Sequence, residues 1–246
     1  MRKRGVWSAL GAAIAVFAVS GMAMASTFTN GAFSGLSGVG FETLCAGTSS
    51  ATAISGWTVS SGSVDWISSY WSNPAGTANS LDMNGSTPCS PLAGTITQTF
   101  ATTVNSTYFV SFALSGNPVC GELGIPSPAT KTLYVSSSAA NAPTTAYSFD
   151  TATAGNTPSN MDWQTTGYSF VASGDSTTLT FAADPTNASA CGPALGDVSI
   201  SETAATGANC KDGGWQAMFE SNGTPFTNQG DCVSYYAISG DTPIGP

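Results

Sequence analysis

The chain has 246 residues, with five Lys and Arg against 14 Asp and Glu, no histidine, and a formal net charge of −9. Without histidine the Ser-His-Asp and Cys-His catalytic arrangements are unavailable and a zinc centre is short of ligands. An acidic surface nearly free of cations also repels nucleic acid, anionic membranes and polyanionic sugars, and leaves neutral polysaccharide or an extracellular protein as acceptable partners.

Residues 1–25 begin with Arg2, Lys3 and Arg4, continue as an apolar run from Val6 to Gly21, and close on Ala23-Met24-Ala25. That order is expected of a secretory signal peptide; an uncleaved anchor is the alternative, since Val6 to Ala25 is long enough to span a bilayer. Cleavage leaves Lys131 and Lys211 against 14 acidic residues, or −12. No second spanning segment follows, so the product is expected to be secreted, in the extracellular space or cell envelope, with no membrane association after signal cleavage.

Residues 26–202 are rich in Thr, Ser, Gly and Val, with turn signals every 8 to 15 residues. Alternation is clear at Leu81 and Met83, at Tyr108 to Leu114, at Leu133 and Val135, at Leu179 and Phe181, and at Val198 and Ile200, so each segment offers one apolar face to a core. Many short alternating segments predict an all-β antiparallel sandwich, with Leu81, Val110, Phe112, Leu133, Leu179, Phe181, Val198 and Ile200 inside. No helical period stands out. Within this body, the stretch from Gly56 to Gly85 concentrates Trp57, Trp66, Tyr70 and Trp71 beside Asp65 and Asp82. Trp57 opens an alternating strand and is expected in the core; Trp163 likewise. Tyr70 and Trp71 fall in a Ser-rich turn before Asn73-Pro74, and Trp66 lies on a strand whose inward face is ambiguous. Aromatic faces beside carboxylates suit sugar rings and hydroxyls, which makes Asp65, Trp66, Tyr70, Trp71, Asp82 and Asn117 the candidate ligand-binding residues. The competing reading of each is core packing for the aromatics and turn capping for the polar groups.

All six cysteines, Cys45, Cys89, Cys120, Cys191, Cys210 and Cys232, follow the cleavage site, and an even number in an exported chain reads as disulfides. Six allow fifteen pairings, and the expectation adopted is the sequential one. Residues 203–209 form a small-residue linker, and 210–246 a Cys-bounded tail module too short to bury much apolar area without its staple. The tail is expected either as a stapled module or as a flap docked on the sandwich.

Several motifs occur together in order: Asn30-Gly31-Ala32-Phe33, Ile54 to Val59, Gly62 to Ile67, Tyr70-Trp71, Ser80 to Gly85, Ile96 to Phe100, and Gly192 to Leu195. As a set they resemble the choice-of-anchor C family and its plant cell-wall relatives, domain of unknown function 642. The resemblance implies a galactose-binding-like jelly-roll β-sandwich, an extracellular location, and association with cell-wall or matrix polysaccharide. Modules of this fold often hold a structural calcium between a carboxylate after the Asn-Gly-x-Phe start and a late Asp. This chain has Ser34 at the first place and Asp197 displaced at the second, so no cofactor is expected and a structural calcium is doubtful, because calcium wants six to eight hard oxygens with several carboxylates.

Catalysis would be left to carboxylate pairs, as in glycoside hydrolysis, with Asp65 and Asp82 the best pair by motif; such residues more often hold turns, and no enzyme is expected. The reading adopted is a secreted, non-catalytic carbohydrate-binding protein. The alternative is an extracellular structural or protein-interaction module without sugar binding.

Overall fold

The computed structural model describes residues 27–203, 210–211, 214–218, 220 and 226–239. The signal peptide, most of the linker and the last seven residues therefore lie outside the described residues. Strands follow in the order β1 (Phe41–Cys45), β2 (Thr58–Ser61), β3 (Ser63–Ile67), β4 (Ser80–Asp82), β5 (Thr95–Ala101), β6 (Thr107–Gly116), β7 (Thr130–Ser137), β8 (Thr145–Asp150), β9 (Gln164–Val171), β10 (Ser176–Ala183) and β11 (Pro193–Thr203). They make a six-stranded sheet, β1-β3-β4-β11-β6-β9, and a five-stranded sheet, β2-β5-β10-β7-β8, with every pairing antiparallel. The protein is an all-β sandwich.

The two-residue period assigns each side chain to a face. Val64, Trp66, Leu81, Val110, Phe112, Leu114 and Leu195 of the larger sheet meet Val59, Ile96, Phe100, Leu133, Val135, Phe149, Leu179 and Phe181 of the smaller one in a single buried cluster. Of the expected core, Ile200 alone is only partly buried; it packs against the cluster near the end of β11. Trp57 is 2 % exposed and its indole donates to the Asn30 carbonyl. Edge-to-face contacts such as Phe112 on Phe181, with centroids 5.4 Å apart, add directional packing to area burial.

The Asn30–Phe33 segment seals one side of this core. Phe33 is fully buried, and the Gly31 carbonyl accepts the Val198 amide where β11 shifts register between Gly196 and Ser199. A Cβ on Gly31 would sit 1.7 Å from the Val198 carbonyl oxygen, so only glycine permits this approach. Asn30 spends its amide on the Ser34 and Ser55 carbonyls and accepts the Ser34 amide. Asp197 lies on the β11 bulge next to this segment.

The outer face of the larger sheet carries a second, smaller apolar cluster, in which Ile67, Ala194, Trp71 and Met161 are buried and Trp163 packs against them. Short helices α1 (Val119–Glu122) and α2 (Thr151–Ala154) lie in the loops that follow β6 and β8.

Disulfides join Cys45 to Cys89, Cys120 to Cys191 and Cys210 to Cys232. In the tail, Cys210, Met218, Phe226, Cys232 and Tyr236 form their own buried cluster around α3 (Gln229–Ser239). This helix is not evident from apolar spacing. Its start is local chemistry: Asn228 Oδ1 accepts the Asp231 amide, and Asp231 reaches back to Thr227. The tail meets the sandwich through a hydrogen bond between Tyr236 and Asn105.

Candidate functional site

β3 and β4 place Asp65 directly opposite Asp82, so both carboxylates stand on the outer face of the larger sheet. On β1, Thr43 pairs with Asp65 and Phe41 with Ile67, which puts those side chains on the same face. Asp65 Oδ1 accepts the Thr43 hydroxyl at 2.6 Å and the Ser86 amide at 3.0 Å, and Oδ2 accepts the Ser86 hydroxyl at 2.7 Å. Asp82 Oδ1 accepts the amides of Asn84 and Gly192, and Oδ2 accepts Asn117 Nδ2 at 2.6 Å. A carboxylate offers roughly four acceptor positions, so each aspartate keeps one for a ligand.

Burial dominates their electrostatics. Asp82 is pushed up from 3.8 to about 8, first by desolvation and then by the nearby charge of Asp65, against the hydrogen bonds from Asn84, Asn117 and Gly192. Asp65 is also raised by burial, against bonds from Thr43 and Ser86. Near neutral pH the pair thus carries less than two charges, and a protonated Asp82 is able to donate as well as accept.

Above the two acids opens a pocket of about 650 Å³. Phe41 and Tyr70 make one wall, with ring centroids 5.2 Å apart and nearly perpendicular planes. Leu123, Ile125, Pro126 and Pro128 make the opposite wall, and Ser127, Asn187 and Ser189 join Asp65, Asp82, Ser86 and Asn117 as polar lining. Disulfide Cys120–Cys191 ties the 117–128 loop to the 184–192 loop, so two walls of the pocket are covalently linked. Asn84 holds the second of these loops by donating to the Asn187 and Ser189 carbonyls. No cation lines the pocket.

Four of the sequence-predicted residues, Asp65, Tyr70, Asp82 and Asn117, converge here. Trp66 and Trp71 do not offer stacking faces, and that expectation is corrected. Trp66 alternates with Asp65 and so points inward; it is 1 % exposed and donates to the Phe33 carbonyl. Trp71 is 4 % exposed, covers the outer-face cluster, and donates to Ser80 Oγ, which in turn donates to Asn73 Oδ1. It anchors the loop that presents its neighbour Tyr70, which is 38 % exposed. The residues missed are Phe41, Ser86, Leu123, Ile125, Ser127 and Ser189. Apolar Leu123 and Ile125, exposed in a Gly- and Pro-rich loop, were the legible signal.

A family model described as protein of unknown function (DUF642) matches residues 26–201. The chain belongs to this family. No match is found among curated protein sequences. Among solved structures the DUF642 chain is similar to an arabinose-bound α-L-arabinofuranosidase, at 15% identity and a TM-score of 0.47, covering 73% of this chain and 26% of that one. It is also similar to the carbohydrate-binding module TmCBM61 in complex with β-1,4-galactotriose, at 13% identity and a TM-score of 0.41, covering 61% and 90%. A third is CBM35 from Paenibacillus barcinonensis, at 14% identity and a TM-score of 0.38, covering 61% and 94%. The chain spans about a quarter of the arabinofuranosidase it resembles. The functional reading rests on the pocket's own residues.

Proposed function

We propose that this protein is a secreted, non-catalytic carbohydrate-binding protein that holds a neutral saccharide in the Tyr70 pocket. The observation that carries the reading is the paired aspartates on adjacent strands beneath aromatic and aliphatic walls. Binding pockets of this size are mostly apolar with a few placed polar groups. Tyr70 and Phe41 offer surface for the C–H face of a pyranose, and Asp65, Asp82 and Asn117 offer the hydrogen-bonding groups that its hydroxyls need. The negative charge of Asp65 disfavours uronates. Three disulfides fit an oxidising, extracellular setting, and no helix among the described residues is long and apolar enough to cross a membrane.

A binding role is favoured over glycoside hydrolysis because each aspartate is already held by three hydrogen bonds, which leave it an acceptor position for a hydroxyl but fix it in place on the sheet. A leaving-group acid and a nucleophile both have to reach the scissile bond. One observation favours the protein-interaction reading: Leu123 and Ile125 are 68 % and 49 % exposed at the rim, enough to seat an apolar side chain. Affinity electrophoresis in galactan, xylan and mixed-linkage β-glucan tests the choice. Retardation of wild type by one of them, lost in Tyr70→Ala, is expected; free migration of wild type in all three favours the protein partner.

A further inference from the structure

Beside the pocket lies a polar annex that the reading above does not use. This cleft of about 240 Å³ lies between the 117–129 loop and α2, and it shares Asn117, Ser127 and Pro128 with the main pocket. Two unusual groups line it. Lys131 occupies an inward position of β7, in phase with Leu133 and Val135, and is 2 % exposed. Its ammonium donates to Ser127 Oγ at 2.6 Å and to the Cys191 carbonyl at 2.8 Å. An ammonium has three N–H groups, so one remains for a ligand.

The second group is Asn156, which is 6 % exposed. Its Nδ2 faces Ser115 Oγ and the carbonyls of Gly116 and Met161. Carbonyls only accept, so the amide orientation is fixed and Oδ1 cannot exchange places with Nδ2. Oδ1 is buried and has no hydrogen-bond partner. An orphaned buried acceptor is costly, and a ligand that supplies a donor relieves it.

A hydroxyl is able both to accept from Lys131 and to donate to Asn156. A carboxylate or phosphate has no proton to give Asn156 at neutral pH. An ammonium cannot accept. We propose that the annex is a second saccharide subsite, which takes the hydroxyls of the next sugar unit when the first sits against Tyr70. This inference rests on the sugar-binding reading and extends it to a ligand of two or more units.

Isothermal titration with galactose, β-1,4-galactobiose and β-1,4-galactotriose, and with the matching gluco- and xylo-series, reads the subsite as chain-length dependence. In one series the disaccharide is expected to bind about tenfold tighter than its monosaccharide, the contribution of one or two charge-assisted or previously unmade hydrogen bonds. Lys131→Met is expected to remove most of that gain. Because Lys131 is buried and its loss is open to a stability effect, Ala152→Trp provides a second variant: Ala152 is an exposed lining residue of the annex, and an indole there blocks entry without touching the core. It should abolish the gain and leave monosaccharide affinity unchanged. Monosaccharide binding with no chain-length gain, or a gain that Ala152→Trp retains, overturns the subsite alone. Absence of binding by any of these sugars overturns the subsite and the sugar-binding reading together.

Discussion

Single side chains divide into those that hold the pocket and those that face its contents. Trp71 belongs to the first group, and Trp71→Ala is expected to cost about 3–5 kcal/mol of stability by leaving a cavity under the 68–80 loop, measured by denaturant unfolding. Tyr70 belongs to the second: Tyr70→Ala should leave the melting temperature within a few degrees of wild type and weaken sugar retention roughly five- to 150-fold, the scale of a lost stacking ring. Asp82 gives a pH signature. Its folded value is raised from 3.8 to about 8, so between those limits the folded state keeps a proton that the unfolded state has released. Its contribution to stability is therefore full below 3.8 and declines as pH rises toward 8, and burial gives Asp65 the same sign. Asp82→Asn should flatten the fall in melting temperature between pH 5 and pH 8.5, and the carboxyl carbons should titrate as a coupled pair rather than as two independent aspartates. A pair titrating near the ordinary value of 3.8 would contradict the burial that the site geometry requires.

Strands and loops differ in how much of them the sequence discloses. The inward residues of β6, β7 and β10 were readable because a period of two leaves no choice once one face is buried. Trp66 was ambiguous because every residue of β3 is buried: the core covers one face, and loops cover the other. Alternation signals burial only when one side of a strand meets water, so a strand covered on both sides hides its phase. Lys131 was hidden for the complementary reason, a charged side chain in a core-facing position at the end of the sandwich. Phe41 on its strand lies 82 residues from Leu123 and 84 from Ile125 on their loop, and no local pattern links them. The Cys120–Cys191 bridge is what holds the far wall in place. Replacing both cysteines by serine should weaken saccharide binding more than it lowers the melting temperature, since the loops lie outside the main core; proteolysis should then cut first between residues 117 and 128. On the opposite side, Gly31→Ala should destabilise the whole sandwich, because the new methyl group meets the backbone of β11.

At the scale of the molecule, the excess of acidic over basic residues repels polyanions. The tail has its own small core and disulfide, and touches the body through Tyr236 and Asn105. Burial raises the Tyr236 hydroxyl to about 12, against the bond with Asn105, so this contact persists through the neutral range. Cys210→Ser is expected to unravel α3, seen as lost amide protection over 229–239, while the sandwich keeps its melting temperature within a few degrees. The overall architecture was legible because patterning, turns and cysteines agreed; the pocket was legible only in its strand residues, because its walls are assembled by topology and a disulfide. The central claim is that the Tyr70 pocket holds a neutral saccharide, and amide chemical shifts of the ¹⁵N-labelled wild-type protein titrated with galacto-, gluco- and xylo-oligosaccharides test it most directly. Saturable shifts centred on Phe41, Asp65, Tyr70, Ser86, Asn117 and the 184–192 loop, and reaching the 127–131 and 151–156 segments of the annex, are the predicted result, whereas no saturable shift with any sugar, or shifts that cluster elsewhere on the sandwich, would contradict it.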